Sequence, residues 1–234
     1  MMLQENLIDQ NIENVIKNMD KAAKKSGRSL EEITLLIVTK TVDIERMKYI
    51  YKKGFYNFGE NRVQELTKKF SHFDSKVNWH FIGHLQRNKV KYIIDKVKLI
   101  HSVDSIRLLK EIDLQAKKIS RQIPILVQVN VAEEESKFGI QTEEVKDFMK
   151  EATNYDNIIV KGLMTIAPYE ENVEKVRPFF MKLKESYDKI KKKESYNIKM
   201  EYLSMGMTND YVIAIEEGAN IVRIGTGIFG KRDS

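Results

Sequence analysis

Short apolar runs recur along the chain, each closing on a polar or glycine-containing turn and followed by residues with helical periodicity. A helix precedes the series: Leu3, Leu7, Ile12, Val15, Ile16 and Met19 fall near one face of a 3.6-residue period, and Gly27 supplies a C-cap after about Ser26. The strands predicted are Ile33 to Lys40, Phe55 to Glu60, Trp79 to His84, Leu99 to Asp104, Ile123 to Asn130, Val160 to Ala167, Glu201 to Met207 and Asn220 to Gly230. Between them lie amphipathic stretches such as "NRVQELTKKF", "SIRLLKEIDLQAKKIS" and "VEKVRPFFMKLKESYDKI", the last with Pro178 marking its start or a kink. A longer polar loop, "VAEEESKFGI", follows the fifth strand.

Eight strand–helix units in this order predict an α/β fold, a single (β/α)8 TIM-type barrel with an extra N-terminal helix. The near-continuous apolar runs suit strands covered on both faces. An open doubly wound sheet shares the alternation, and periodicity alone does not close a barrel. No low-complexity linker or composition shift interrupts the chain, so residues 1–234 read as one domain.

Composition narrows the function classes. The chain has no cysteine, which excludes disulfides and thiolate metal sites and suggests a reducing cytoplasm. The N-terminus "MMLQENLIDQ" lacks a signal-peptide pattern, and no stretch approaches the roughly 20 apolar residues that span a bilayer. Lys and Arg number 40 against 34 Asp and Glu, a formal charge of +6. The lysines are dispersed, and the densest run, "YDKIKKKESY", is interrupted by acids and reads as a solvated helix end, so nucleic acid is not the expected partner.

Chemistry in a barrel of this kind lies at the C-terminal ends of the strands. Those ends carry Lys40, Glu60 with Asn61, His80 with His84, Asp104, Asn130, Thr165, Ser204 and Arg223. Lys40 shares a strand face with Val38, Leu36 and Thr34. If that face is the interior, desolvation favours the neutral amine, a nucleophile suited to a carbonyl; otherwise Lys40 is a surface lysine past the strand end. After strands seven and eight, "LSMGMTND" and "RIGTG" offer a helix cap at Thr208 and backbone N–H groups at Gly225 and Thr226. Loops at these positions bind phosphate in many barrels, although glycines also serve tight turns. Arg223 faces the same side as Gly225, and a buried arginine requires either a structural carboxylate or a ligand acceptor. The match of "GTGIFG" to a dinucleotide fingerprint is discounted, because only "KRDS" follows it. His80 and His84 would share a strand face, with no clear third metal ligand, and His101 reads as a packing residue. Glu60, Asn61 and Arg62 either contact a ligand or cap the following helix.

The stretches "LLIVTKT", "FGENRVQE", "WHFIGHLQRNK", "HSVDS", "VQVNVAEEESKFGI", "GLMTIAP", "LSMGMTNDY" and "VRIGTGIFGKRD" occur in order from about residue 33 to the C-terminus. In this the chain resembles the pyridoxal phosphate homeostasis protein family (YggS/PROSC), related to the alanine racemase N-terminal barrel. The resemblance implies that pyridoxal 5'-phosphate (PLP) is held as an aldimine on Lys40. It places Arg223 at the pyridine nitrogen, Ser204, Gly225 and Thr226 at the phosphate, Asn61 near the ring's polar edge and His80 near the ring face. One departure is Thr39, where a serine often precedes the lysine. The family implies a cytoplasmic monomer in PLP homeostasis that supplies PLP-requiring apoenzymes, with no metal, membrane or nucleic-acid partner.

An arginine at the ring nitrogen disfavours ring protonation and weakens the electron sink, so little or no turnover is expected. Related racemases use a second base associated with a C-terminal β domain, and the given sequence stops at Ser234, after the eighth strand. Rival readings are a low-activity amino-acid racemase, with Tyr169 or His84 as second base, and a Schiff-base sugar-phosphate aldolase, which gives Arg223 no ring nitrogen to meet. A basic RNA-binding module is the remaining one.

Overall fold

The computed structural model describes residues 2–134 and 137–230. Eight parallel strands, β1 (Thr34–Val38), β2 (Asn57–Glu60), β3 (Asn78–Phe81), β4 (Leu99–Val103), β5 (Ile123–Gln128), β6 (Ile158–Met164), β7 (Ile198–Ser204) and β8 (Ile221–Ile224), pair in chain order. The ring closes where β8 pairs with β1, with Leu36 opposite Arg223. This is the TIM-type barrel, and closure removes the open-sheet alternative.

Strand alternation divides the core in two. Leu36, Val38, Ile82, Leu99, Leu126, Met164 and Ile221 form a small apolar cluster inside the barrel, with Tyr202 packed against it. Their neighbours, among them Ile37, Phe58, Trp79, Phe81 and Ile100, join the larger cluster shared with the outer helices. Those helices are α1 (Met2–Lys25), α2 (Ile44–Lys52), α3 (Val63–Phe70), α4 (Ile106–Lys118), α5 (Val145–Ala152), α6 (Arg177–Lys191), α7 (Tyr211–Glu216) and the short α8 (Thr226–Phe229). A 3-10 segment, Arg87–Tyr92, stands between β3 and β4 where a full helix would otherwise run.

The extra helix α1 buries Ile8, Ile12, Val15 and Met19 and packs on α7 and α8. Asn11 Nδ2 donates to the Ile228 carbonyl at 2.9 Å. Leu7, expected on the buried face, is half-exposed; Ile8 takes that place, and Leu3's side chain lies outside the described residues. Gly27 adopts φ +72°, and Arg28 N–H closes the end on the Ala23 carbonyl at 2.9 Å. Pro178 sits in the first turn of α6, where its missing N–H removes no helical bond.

Several strand bounds differ from expectation: β3 ends at Phe81 rather than His84, β7 runs from Ile198 to Ser204 rather than from Glu201 to Met207, and β6 and β8 shift as well. Strand β6 begins at Ile158 and passes Gly162, where a Cβ would stand 1.8 Å from the Tyr202 carbonyl oxygen. Strand β8 stops at Ile224, and Thr226–Phe229 turn into α8 rather than continuing the strand. Alternating glycines and apolar residues in "IGTGIFG" satisfy either period. No helix among the described residues is long and apolar enough to cross a membrane.

Candidate functional site

At the C-terminal ends of the strands lies a cavity of about 540 Å³. Val38, Lys40 and Arg223 line it from the β1–β8 side, with Asn61 and Ile82 beside them. Thr208, Asn209, Gly225 and Thr226 form one edge. The segment after β6, from Ile166 through Glu170, also lines it. Five sequence candidates therefore meet in one place: Lys40, Asn61, Arg223, Gly225 and Thr226.

Lys40 lies two residues past the end of β1 at Val38, half-buried, and lines the cavity beside Val38 of the inner cluster. Lys40 occupies a turn whose next residue, Thr41, adopts the left-handed φ of +62°. Beneath that turn the strand-end candidate Glu60 is fully buried and meets Lys69 of α3 at 2.8 Å. Burial pushes the Glu60 carboxyl up, against the opposing effect of Lys69. Glu60 thus neither contacts the cavity nor caps α3.

Arg223 is 4% exposed and donates to Ser204 Oγ and the Thr165 carbonyl, each at 2.7 Å. Among the described residues it forms no salt bridge. Burial lowers its guanidinium to about 10, while the negative charge of Asp210 opposes the fall. It remains a cation at neutral pH. Asp210, pushed up by burial, accepts the Met207 N–H at 2.6 Å and fixes the turn before α7.

Ser204 and His80 are not brought to the cavity wall. Ser204 lies fully buried behind Arg223, and His101 Nδ1 approaches its hydroxyl at 3.0 Å. His101 Nε2 meets His80 Nδ1 at 2.9 Å. His101, expected to serve packing alone, is the middle of this chain. Burial, helped by Lys98, lowers His80 to about 4; burial, then His80 and Arg223, lowers His101 well below the usual histidine range. Both rings are therefore neutral. Donors and acceptors alternate along the chain if Arg223 donates to Ser204, Ser204 to His101 Nδ1, and His101 Nε2–H to His80 Nδ1, which places the His80 proton on Nε2.

His84 turns away to a separate hollow. Its Nδ1 lies 3.2 Å from Asp104, and its ring stacks on Phe138 at 3.9 Å. It cannot pair with His80 on one strand face, because β3 has already ended at Phe81. No three potential metal ligands cluster among the described residues.

Thr208 was expected to cap α7, and Asp210 occupies the cap position instead. Thr208 Oγ1 accepts the Gly227 N–H at 3.0 Å and meets Thr226 Oγ1 at 3.1 Å, joining the two loops. A Cβ on Gly225 would lie 3.3 Å from Val38, and one on Gly227 3.1 Å from the Thr208 methyl. These glycines let the loops approach closely. Thr208, read from the sequence as a helix cap in the loop after strand seven, instead lines the cavity and ties that loop to the one after strand eight.

The model of the alanine racemase N-terminal domain family matches residues 10–233. A pyridoxal phosphate homeostasis protein of Aquifex aeolicus (strain VF5) is 46% identical over 219 residues, spanning 93% of this chain and 95% of the relative. The chain belongs to the pyridoxal phosphate homeostasis protein family. Among solved structures, a protein from Bifidobacterium adolescentis is similar with a TM-score of 0.90 and 30% identity, over 97% of this chain and 96% of that one. PipY of Synechococcus elongatus PCC7942, with PLP bound, is similar with a TM-score of 0.78 and 27% identity, over 85% and 93% of the two chains.

Proposed function

We propose that this chain binds PLP in the cavity, through Lys40, and serves cytoplasmic PLP homeostasis with little or no turnover. The carrying observation is Arg223: a buried cation at the cavity wall whose direct partners are neutral. A buried charge of that kind calls for a further acceptor. Asn61 Oδ1 is likewise buried with no hydrogen-bond partner, and Asn61 lines the same space. These residues fit a ligand bearing an aldehyde, a ring nitrogen and a phosphate.

Bound PLP supplies an aldehyde that condenses with primary amines and a ring that withdraws electrons. Lys40, which lines the cavity, would supply the primary amine for that condensation, with water as its by-product. Arg223 would face the ring nitrogen and, as a cation donor, would disfavour its protonation. Thr208, Gly225 and Thr226 hold the phosphate with hydroxyl and backbone donors. His101 and Ser204 act one layer back by orienting Arg223, and His80 closes that chain. On this reading residues 1–234 act as one domain and a monomer, and PLP-requiring apoenzymes are the class of protein supplied.

A slow racemase is the second reading, favoured by Tyr169 at the cavity wall. Turnover above about 1 s⁻¹ would support it, since typical enzymes reach 1–10³ s⁻¹. The binding reading is tested by titrating the protein with PLP and, separately, with pyridoxal lacking the phosphate. A band near roughly 420 nm that saturates at far lower PLP than pyridoxal is the expected result. Equal response to both aldehydes would contradict the phosphate assignment.

A further inference from the structure

We propose that Glu60, Lys69 and Glu65 are positioning residues for the Lys40 amine. The proposal rests on the reading of Lys40 as the PLP-bearing lysine. The three side chains grip the backbone on both sides of Lys40. On the preceding residue, the Thr39 hydroxyl donates to Glu60 Oε1 at 2.6 Å, and the Thr39 carbonyl accepts from Lys69 Nζ at 2.7 Å. On the following residue, the Thr41 N–H donates to Glu65 Oε2 at 2.6 Å. Lys69 ties the carboxylates together, at 2.8 Å from Glu60 and 3.1 Å from Glu65.

The grip is directed at a turn that needs it. Thr41 holds a left-handed φ of +62°, a conformation that β-branched residues rarely adopt. Such a conformation persists where surrounding contacts over-determine it, and it is commonest at functional positions. The turn reverses the chain sharply, with the Val42 N–H returning to the Thr39 carbonyl at 2.9 Å. That carbonyl therefore accepts twice, from Val42 and from Lys69. Lys40 is the one residue between the two held positions, and its side chain faces the cavity.

The three groups come from two consecutive elements. Glu60 ends β2, while Glu65 and Lys69 lie one turn apart on α3. Pairing of β2 with β1 is what brings this β2–α3 pair onto the backbone that follows β1. A cluster serving stability alone could bond any backbone. This one bonds Thr39 and Thr41, and it leaves the Lys40 side chain to the cavity.

The test compares two ligands in the full chain. PLP can condense with Lys40, whereas pyridoxamine 5'-phosphate carries an amine in place of the aldehyde and cannot. Glu65 is the outermost member of the cluster, 22% exposed, so Glu65→Ala is the variant least prone to unfold. We expect Glu65→Ala to weaken PLP binding about tenfold, the scale of one charge-assisted hydrogen bond, with pyridoxamine 5'-phosphate affinity unchanged. Glu65→Gln, which retains an acceptor for Thr41 N–H, should recover most of the loss. Unchanged PLP affinity in Glu65→Ala would overturn the proposal, as would equal weakening of both ligands. If wild-type protein forms no borohydride-stable link at Lys40, the underlying functional reading fails instead, and the two failures are distinguishable.

Discussion

Two buried cations flank the cavity, and their partners differ in kind. Lys69 is saturated by two carboxylates and a carbonyl oxygen. Arg223 has only a hydroxyl and a carbonyl in direct contact, with the Asp210 charge acting from farther off. Lys69 is neutralised within the protein, so its role is to hold backbone. Arg223 keeps a charge that the protein only partly offsets, and this is the ground for proposing it as a ligand contact. The contrast separates a structural ion cluster from a binding cation without reference to any relative.

Substitution should expose the contrast most strongly in stability. Lys69→Met leaves Glu60 buried beside an apolar chain, and breaking a buried pair in this way costs roughly 3–5 kcal/mol. Arg223→Leu removes an incompletely paired charge and leaves only two neutral acceptors bare, a smaller loss of about 1–2 kcal/mol. Urea unfolding of both variants measures the difference, and equal losses would break the comparison. In affinity Arg223→Leu is expected to weaken PLP binding by about tenfold to a hundredfold, read by equilibrium dialysis.

The neutral chain behind Arg223 makes a pH-dependent contribution of definite sign. His80 is lowered from 6.5 to about 4, so the unfolded chain binds the additional proton between those values. Stability is intact above the ordinary histidine range and falls as pH drops through it. From His80 alone the loss at pH 5 is about 2 kcal/mol, at 1.36 kcal/mol per unit below the unfolded value. Thermal melts from pH 7.5 to 5 check this, and His80→Phe should flatten the slope in that range. The smallest expected effect is at the phosphate edge, where Thr208→Ala should reduce PLP affinity about threefold to tenfold by removing one neutral hydroxyl that also holds Gly227.

Much of this was legible in the chain because parallel strands are written as consecutive apolar residues. The polar residue that stops each run then falls at the catalytic end of a barrel. That logic named Lys40, Asn61, Arg223, Gly225 and Thr226, which the fold brings to one cavity. Ser204 and His80, named by the same logic, do not line the cavity but stand in the hydrogen-bonded chain behind Arg223. Contacts between distant segments were invisible: His101 and Ser204 are 103 positions apart, and nothing local marks the one as the other's partner. Lys69 looked like one more basic residue in "LTKKF", since helical period alone does not distinguish a buried lysine from a solvated one. The glycine-rich end of β8 read as strand because its residues satisfy both periods.

The most direct test of the central claim is borohydride reduction of the PLP-loaded protein, followed by peptide mass mapping, for wild type and Lys40→Ala. The account predicts a single reduced phosphopyridoxyl adduct on Lys40 in the wild type and no adduct at the cavity in Lys40→Ala. Label on another lysine, or an adduct that survives Lys40→Ala unchanged, would contradict it.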